Sequence, residues 1–223
     1  MSLLKSNSVQ IGQSATATQN FTLSVPSSPD GTIKLARGNS GATTADIFSV
    51  NSTGAITGAI INGGAITLGT AQNSTSGTAI DFTGIPSWAK RITAMLYNVS
   101  VSGSSQIQVQ LGTSSGFNTS GYDSYMALAY GTNQVATASI ATGFGIWNGA
   151  TTSLRFASMI ITKFTGDAWL ATVTAGFGDG ATSGSITGGG GISLASPLDR
   201  VRITTVNGTD TFDLGSINIM YEG

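Results

Sequence analysis

No long stretch of this chain keeps apolar residues at the i, i+3, i+4, i+7 spacing of an amphipathic helix, because glycine and β-branched residues interrupt every window. What recurs instead is alternation. Gln106-Ile-Gln-Val-Gln-Leu111 is the clearest case: Ile107, Val109 and Leu111 fall on one side and Gln106, Gln108 and Gln110 on the other. Similar runs are read at 124–129, 143–147, 154–164, 169–177, 186–194, 200–206 and 211–221. In the last run the apolar phase shifts at Gly215, as a β-bulge at that glycine would require. The 31 glycines show no collagen triplet, so they read as turn residues between short strands. The expected fold is all-β: a small Gly-rich N-terminal β region followed by an antiparallel, jelly-roll-like β-sandwich.

The two regions differ in texture. Residues 1–75 hold short, glycine-punctuated apolar segments, among them Gly31-Thr-Ile-Lys-Leu-Ala36 and Asp46-Ile-Phe-Ser-Val50, and Gly-Ala-Ile-Thr occurs twice, starting at Gly54 and Gly64. Strands this short bury little by themselves and often need neighbouring chains to complete a core. Residues 70–76 read as a polar linker. From 76 to 223 the strands lengthen, which sets the expected boundary between an attachment region (1–75) and the sandwich (76–223).

The side-chain inventory constrains chemistry sharply. There is no histidine and no cysteine, and Glu222 is the single glutamate. A Ser-His-Asp or Cys-His site and a thiolate metal site are therefore impossible. Ser87-Trp-Ala-Lys90 matches a Ser-x-x-Lys pattern, but the companion segments of that enzyme class are missing. Glycosidase chemistry needs two carboxylates across a cleft; the aspartates are scattered through turns, and Asp210 and Asp213, three apart on a strand, face opposite sides. Asp123 and Asp179 are the best single oxygen donors for a hard cation, but no acidic loop repeats, so no metal and no cofactor are expected. Gly176-Phe-Gly-Asp-Gly has neither a following helix nor a Lys-Ser/Thr pair, so it is not read as a phosphate cradle. The net charge of −1 and the lack of a basic run argue against nucleic-acid binding, and no segment has the ~20 apolar residues of a membrane span. The expectation is a non-enzymatic protein, made in a cytoplasm, that works through its surface.

Trp88, Trp147 and Trp169 read as core or interface anchors. Tyr122, Tyr125 and Tyr130, with Asp123, border the polar loop 114–123. Tyrosine faces next to Asn, Ser and Asp suit stacking on sugars, so these four are the candidate glycan or receptor contacts.

Two segments carry a resemblance. Residues 29–54 (PDGTIKLARGNSGATTADIFSVNSTG) resemble a segment of tailed-bacteriophage structural proteins. Residues 80–93 (IDFTGIPSWAKRIT) resemble the opening of a distal domain in phage tail-fibre and related virion proteins. The resemblance implies a homotrimeric fibre or spike assembled into a virion. Its N-terminal region would bind another tail or capsid component, and its C-terminal domain would face outward, with a host-surface polysaccharide as ligand. It carries over no catalytic residue. No coiled coil or β-helical shaft is present, which implies a short appendage. The alternatives are a capsid decoration or head-fibre protein and a free carbohydrate-binding module.

Overall fold

The structure, a computed structural model, describes residues 8–16, 19–25, 31–39, 42–54, 56–57, 66–131, 134–148, 153–178 and 183–223. The chain divides into two compact units, 1–62 and 63–223. Strands are the only regular elements among the described residues apart from a single-residue 3-10 turn, and every strand pair is antiparallel.

The first unit is a five-stranded meander, β1 (Ser8–Ile11), β2 (Phe21–Ser24), β3 (Ile33–Asn39), β4 (Ala42–Val50) and β5 (Ile56–Thr57), each paired with the next. Its registers align Val9 with Leu23, Leu23 with Leu35, and Leu35 with Phe48, so one apolar row crosses four strands on a single face. Ile11 pairs with Phe21 on the same face, and Ile33 with Val50. None of these side chains is buried: Ile11 is 55 % exposed, and Val9, Phe21 and Ile33 are exposed as well. What this unit does bury among its described residues is small or polar: Ala36, Asn20 and Thr22. Asn20 holds the β1–β2 connection by accepting from the Ser14 N–H (2.9 Å) and donating to the Ser14 carbonyl (2.7 Å) and to Asn39 Oδ1 (2.6 Å). Thr22 Oγ1 donates to the Gly38 carbonyl at 2.9 Å.

The second unit is a β-sandwich of two antiparallel sheets. Its strands are β6 (Thr67–Leu68), β7 (Gln72–Asn73), β8 (Ala79–Thr83), β9 (Arg91–Val101), β10 (Ile107–Thr113), β11 (Gly116–Phe117), β12 (Asp123–Tyr130) and β13 (Gln134–Ile140). They continue with β14 (Phe144–Ile146), β15 (Leu154–Thr165), β16 (Ala168–Gly178), β17 (Ser183–Ser193), β18 (Arg200–Thr205) and β19 (Phe212–Glu222). The smaller sheet runs β11-β10-β18-β8, with β14 also on β10; the larger runs β13-β12-β17-β16-β15-β9-β19-β6, with β7 also on β19. One continuous core fills the space between them, built from alternate residues such as Ile92, Leu96, Met159, Ile161, Ile186, Val109, Ile203 and Phe212.

Three findings revise the sequence reading. Residues 67–68 and 72–73, expected in the attachment region and the linker, pair with β19 and belong to the second unit, so the division falls at 62/63 rather than 75/76. Gln108 and Gln110 are buried rather than outward, because β10 is a central strand and the turn before β14 covers its outer side. Gln110 Nε2 donates to the Thr142 carbonyl (2.9 Å), and Thr142 Oγ1 to Gln108 Oε1 (2.7 Å). Strand β13 was not anticipated. The irregularity at Gly215 is present: the β9–β19 register shifts there, opposite Asn98, which takes φ = 58°.

Two glycines of β17 allow the close approach of its neighbour β12 in the same sheet. A Cβ on Gly190 would stand 2.1 Å from the Asp123 carbonyl oxygen, and one on Gly188 would stand 2.6 Å from that of Tyr125. Against this stripped inner surface lies β14, whose Gly145 N–H donates to Ser124 Oγ at 3.0 Å. Gly145 leaves room there for the Met126 and Ile140 side chains, which a Cβ at that position would meet.

Candidate functional site

The four residues read as glycan contacts do not share a surface. Tyr122 is a core residue, 3 % exposed. Its hydroxyl accepts from the Leu111 N–H (2.6 Å) and lies 3.3 Å from the Leu111 carbonyl as donor, and its ring meets Phe144 edge-on with centroids 5.0 Å apart. Burial pushes the phenol far above the ordinary tyrosine range, with the Leu111 hydrogen bond offsetting part of the rise. Tyr130 sits on the inner side of β12 and packs half-buried against the core. Only Asp123 and Tyr125 point outward together, since side chains two apart on a strand share a face. The expected four-residue cluster is therefore withdrawn, because alternation and the loop's tie to Leu111 turn two of its members inward.

The other candidates disperse too. Asp179 lies outside the described residues. Asp210 closes a turn, accepting from Asn207 Nδ2 (2.7 Å) and from the Ser105 N–H (3.0 Å), whereas Asp213 pairs with Ser100. Among the described residues no three His, Cys, Asp or Glu side chains come together as a metal site. Trp169 is buried, Trp147 half-buried and Trp88 exposed, its ring 5.7 Å from Tyr221. Two cationic arrangements were not announced by the sequence. Arg155 is buried, with Nε donating to the Trp147 carbonyl (2.8 Å) and Nη2 to Asn148 Oδ1 (2.7 Å). Arg202 makes a two-pronged pair with Asp81 (2.7 Å on each prong) and lies 4.1 Å over the Phe117 ring.

The surface that does gather a distinctive set of side chains is the outer face of the larger sheet. The registers of seven strands arrange it in rows. The end row reads Glu222, Arg91, Thr162, Leu170, Gly191, Asp123, with an ion pair between Arg91 and Glu222. The next reads Met220, Thr93, Ile160, Thr172, Gly189, Tyr125, and ends at Ser139. In this row and the two beyond it no residue is charged and none is buried. Tyr125 stands 63 % exposed beside Gly189, whose lack of a side chain opens a shallow concavity of about 700 Å³ between Tyr125, Thr187 and Thr137. The smaller sheet is the opposite case: its outer side carries Arg200, Arg202 and Asp81.

Comparison with known protein families, curated proteins and solved structures finds no match.

Proposed function

We propose that this chain is a structural protein of a bacteriophage virion: a short homotrimeric tail fibre or spike, with the N-terminal unit attached to another virion component and the sandwich directed outward. The observation that carries this reading is the apolar row Val9–Leu23–Leu35–Phe48, left unburied on a sheet that has no apolar second layer of its own among the described residues. A sheet with one apolar face is stable only when another layer covers it. Identical sheets from neighbouring copies supply such a layer, and a core shared among chains suits strands of four to nine residues that cannot build one alone. The likeness of residues 29–54 and 80–93 to phage virion proteins supports the same reading. A surface of Ser, Thr and Asn suits a role carried by shape and assembly.

Two measurements test it. Light scattering on the purified chain is expected to give a mass near three times 22.5 kDa; a monomer at all concentrations rejects the assembly. Mass spectrometry and antibody labelling of purified phage particles are expected to find the chain on the tail. Labelling over the capsid shell would instead favour the decoration alternative, and absence from particles rejects the virion role.

A further inference from the structure

We propose that, in the trimer, the sandwich of each copy packs against another copy through the three charge-free rows on the outer face of its nine-stranded sheet. This rests on the trimeric reading above and adds the surface that the second unit contributes.

The first argument is charge. Every charged residue of the four-row grid (Glu222, Arg91 and Asp123) lies in one end row. The three rows beyond, seven strands wide, hold only neutral side chains, while the outer side of the other sheet carries two arginines and an aspartate. Depletion of charge with enrichment of aromatic residues and methionine marks the centre of an interface. Most of the remaining positions are hydroxyls and glycines, which lose water at far less cost than charges do.

The second argument is the apolar content. Tyr97, Tyr125, Val135, Phe156 and Ile160 all lie in these rows and all are exposed, Tyr97 at 69 % and Val135 at 70 %. Tyr97 and Phe156 already meet edge-on, with centroids 5.3 Å apart and rings at 87°, so the face presents a preformed aromatic pair. The exposed side chains form two groups, Tyr97, Phe156 and Ile160 on β9 and β15 and Tyr125 and Val135 on β12 and β13, on either side of the threonine, serine and glycine columns of β16 and β17. Exposed aromatic side chains on a charge-depleted face are typical of an interaction surface.

The third argument is size. Seven strands at a spacing of ~4.8 Å, by three rows two residues apart, give roughly 600 Å² of projected area. Stable complexes use about 800 Å² of accessible surface per partner, and side-chain relief raises accessible area above its projection. The face is the right size for a second copy and several times larger than a single sugar ring needs.

The chain has no cysteine, so one introduced thiol reports one place. Thr172 lies on the middle strand of the face, in the charge-free row nearest the charged one, and is exposed; Val206 is exposed in the turn after β18. With Thr172→Cys, maleimide labelling is expected to be blocked in the trimer and restored on dissociation, while Val206→Cys labels in both states. Thr172→Arg is expected to raise the concentration at which the scattering mass falls from three chains to one, while the protected core amides stay protected. If that variant does not fold, the near-isosteric cysteine variant decides alone. A persistent trimer in which the thiol at 172 reacts as fast as the one at 206 overturns this inference and leaves the trimer standing; it frees the face for a glycan, testable on a polysaccharide array. A monomer at every concentration overturns both.

Discussion

The two units bury opposite things. The sandwich buries a continuous apolar core, with Ile107, Val109, Leu111, Val201 and Ile203 fully withdrawn from solvent. The meander buries Asn20 and Thr22 and leaves its apolar row outside. At about 25 cal/mol per Å² of apolar surface removed from water, the first arrangement stabilises itself and the second awaits a partner. Hydrogen bonds such as those of Asn20 fix the shape of a sheet but contribute only about 1 kcal/mol each in net terms, too little to offset the entropy of ordering the strands. The comparison teaches that alternation specifies a sheet without specifying what covers it.

The largest expected effect lies in concentration. Amide exchange at Val9, Leu23 and Leu35 should accelerate on dilution while that at Val109 and Ile203 stays constant. Protection in the meander that ignores concentration would break the comparison. Next comes the sandwich's dependence on its own close packing. Gly190→Ala places a methyl against the Asp123 carbonyl and should destabilise by roughly 3 kcal/mol in a denaturant titration. Gly191→Ala, one residue on and facing outward, meets nothing closer than 3.5 Å and should stay within about 0.5 kcal/mol of the parent. Equal losses would sink the assignment of inner and outer glycines.

Asn20→Ala sharpens the other side. It strips partners from both backbone groups of Ser14 and should open the meander by about 2 kcal/mol. The melting transition of the sandwich should not move, which exchange data resolved by residue would register. Tyr122→Phe leaves the Leu111 N–H without its acceptor and should cost about 1–2 kcal/mol. It also carries a pH signature. Burial raises the phenol's pKa above its unfolded value, so the neutral form's contribution is complete below about pH 10 and is lost as pH rises beyond it. Alkaline melts of Tyr122→Phe should lack that decline. The smallest effect belongs to Asp81→Asn. The pair with Arg202 is about one-third exposed, so the loss should stay under about 1 kcal/mol and shrink further in salt.

Legibility followed the strength of the alternation. β10, β12, β15, β16 and β19 were readable because several bulky apolar residues in each fall on alternate positions or shift phase at a glycine. β13 was not, since Gln-Val-Ala-Thr-Ala-Ser-Ile offers small residues on both faces and only Ile140 is buried. β6 and β7 are two residues each, and their strand character exists only through β19. The tyrosines failed as a set for a related reason. Their spacing fixes Tyr125 opposite in face to Tyr130, but nothing local says that Tyr122, just before the strand, reaches back to Leu111 across the ten intervening residues.

By itself the sequence determined an antiparallel all-β chain, the removal of imidazole and thiol chemistry, and a bulge at Gly215, because backbone conformation and side-chain inventory are local properties. Which face of each sheet is covered, where the units divide, that Gln108, Gln110 and Arg155 lie inside, and that the charges of the outer face retreat to one row were decided only by tertiary structure. Those properties depend on strand order and register, which bring together residues as distant as Arg91 and Glu222. No local pattern encodes which strand lies beside which.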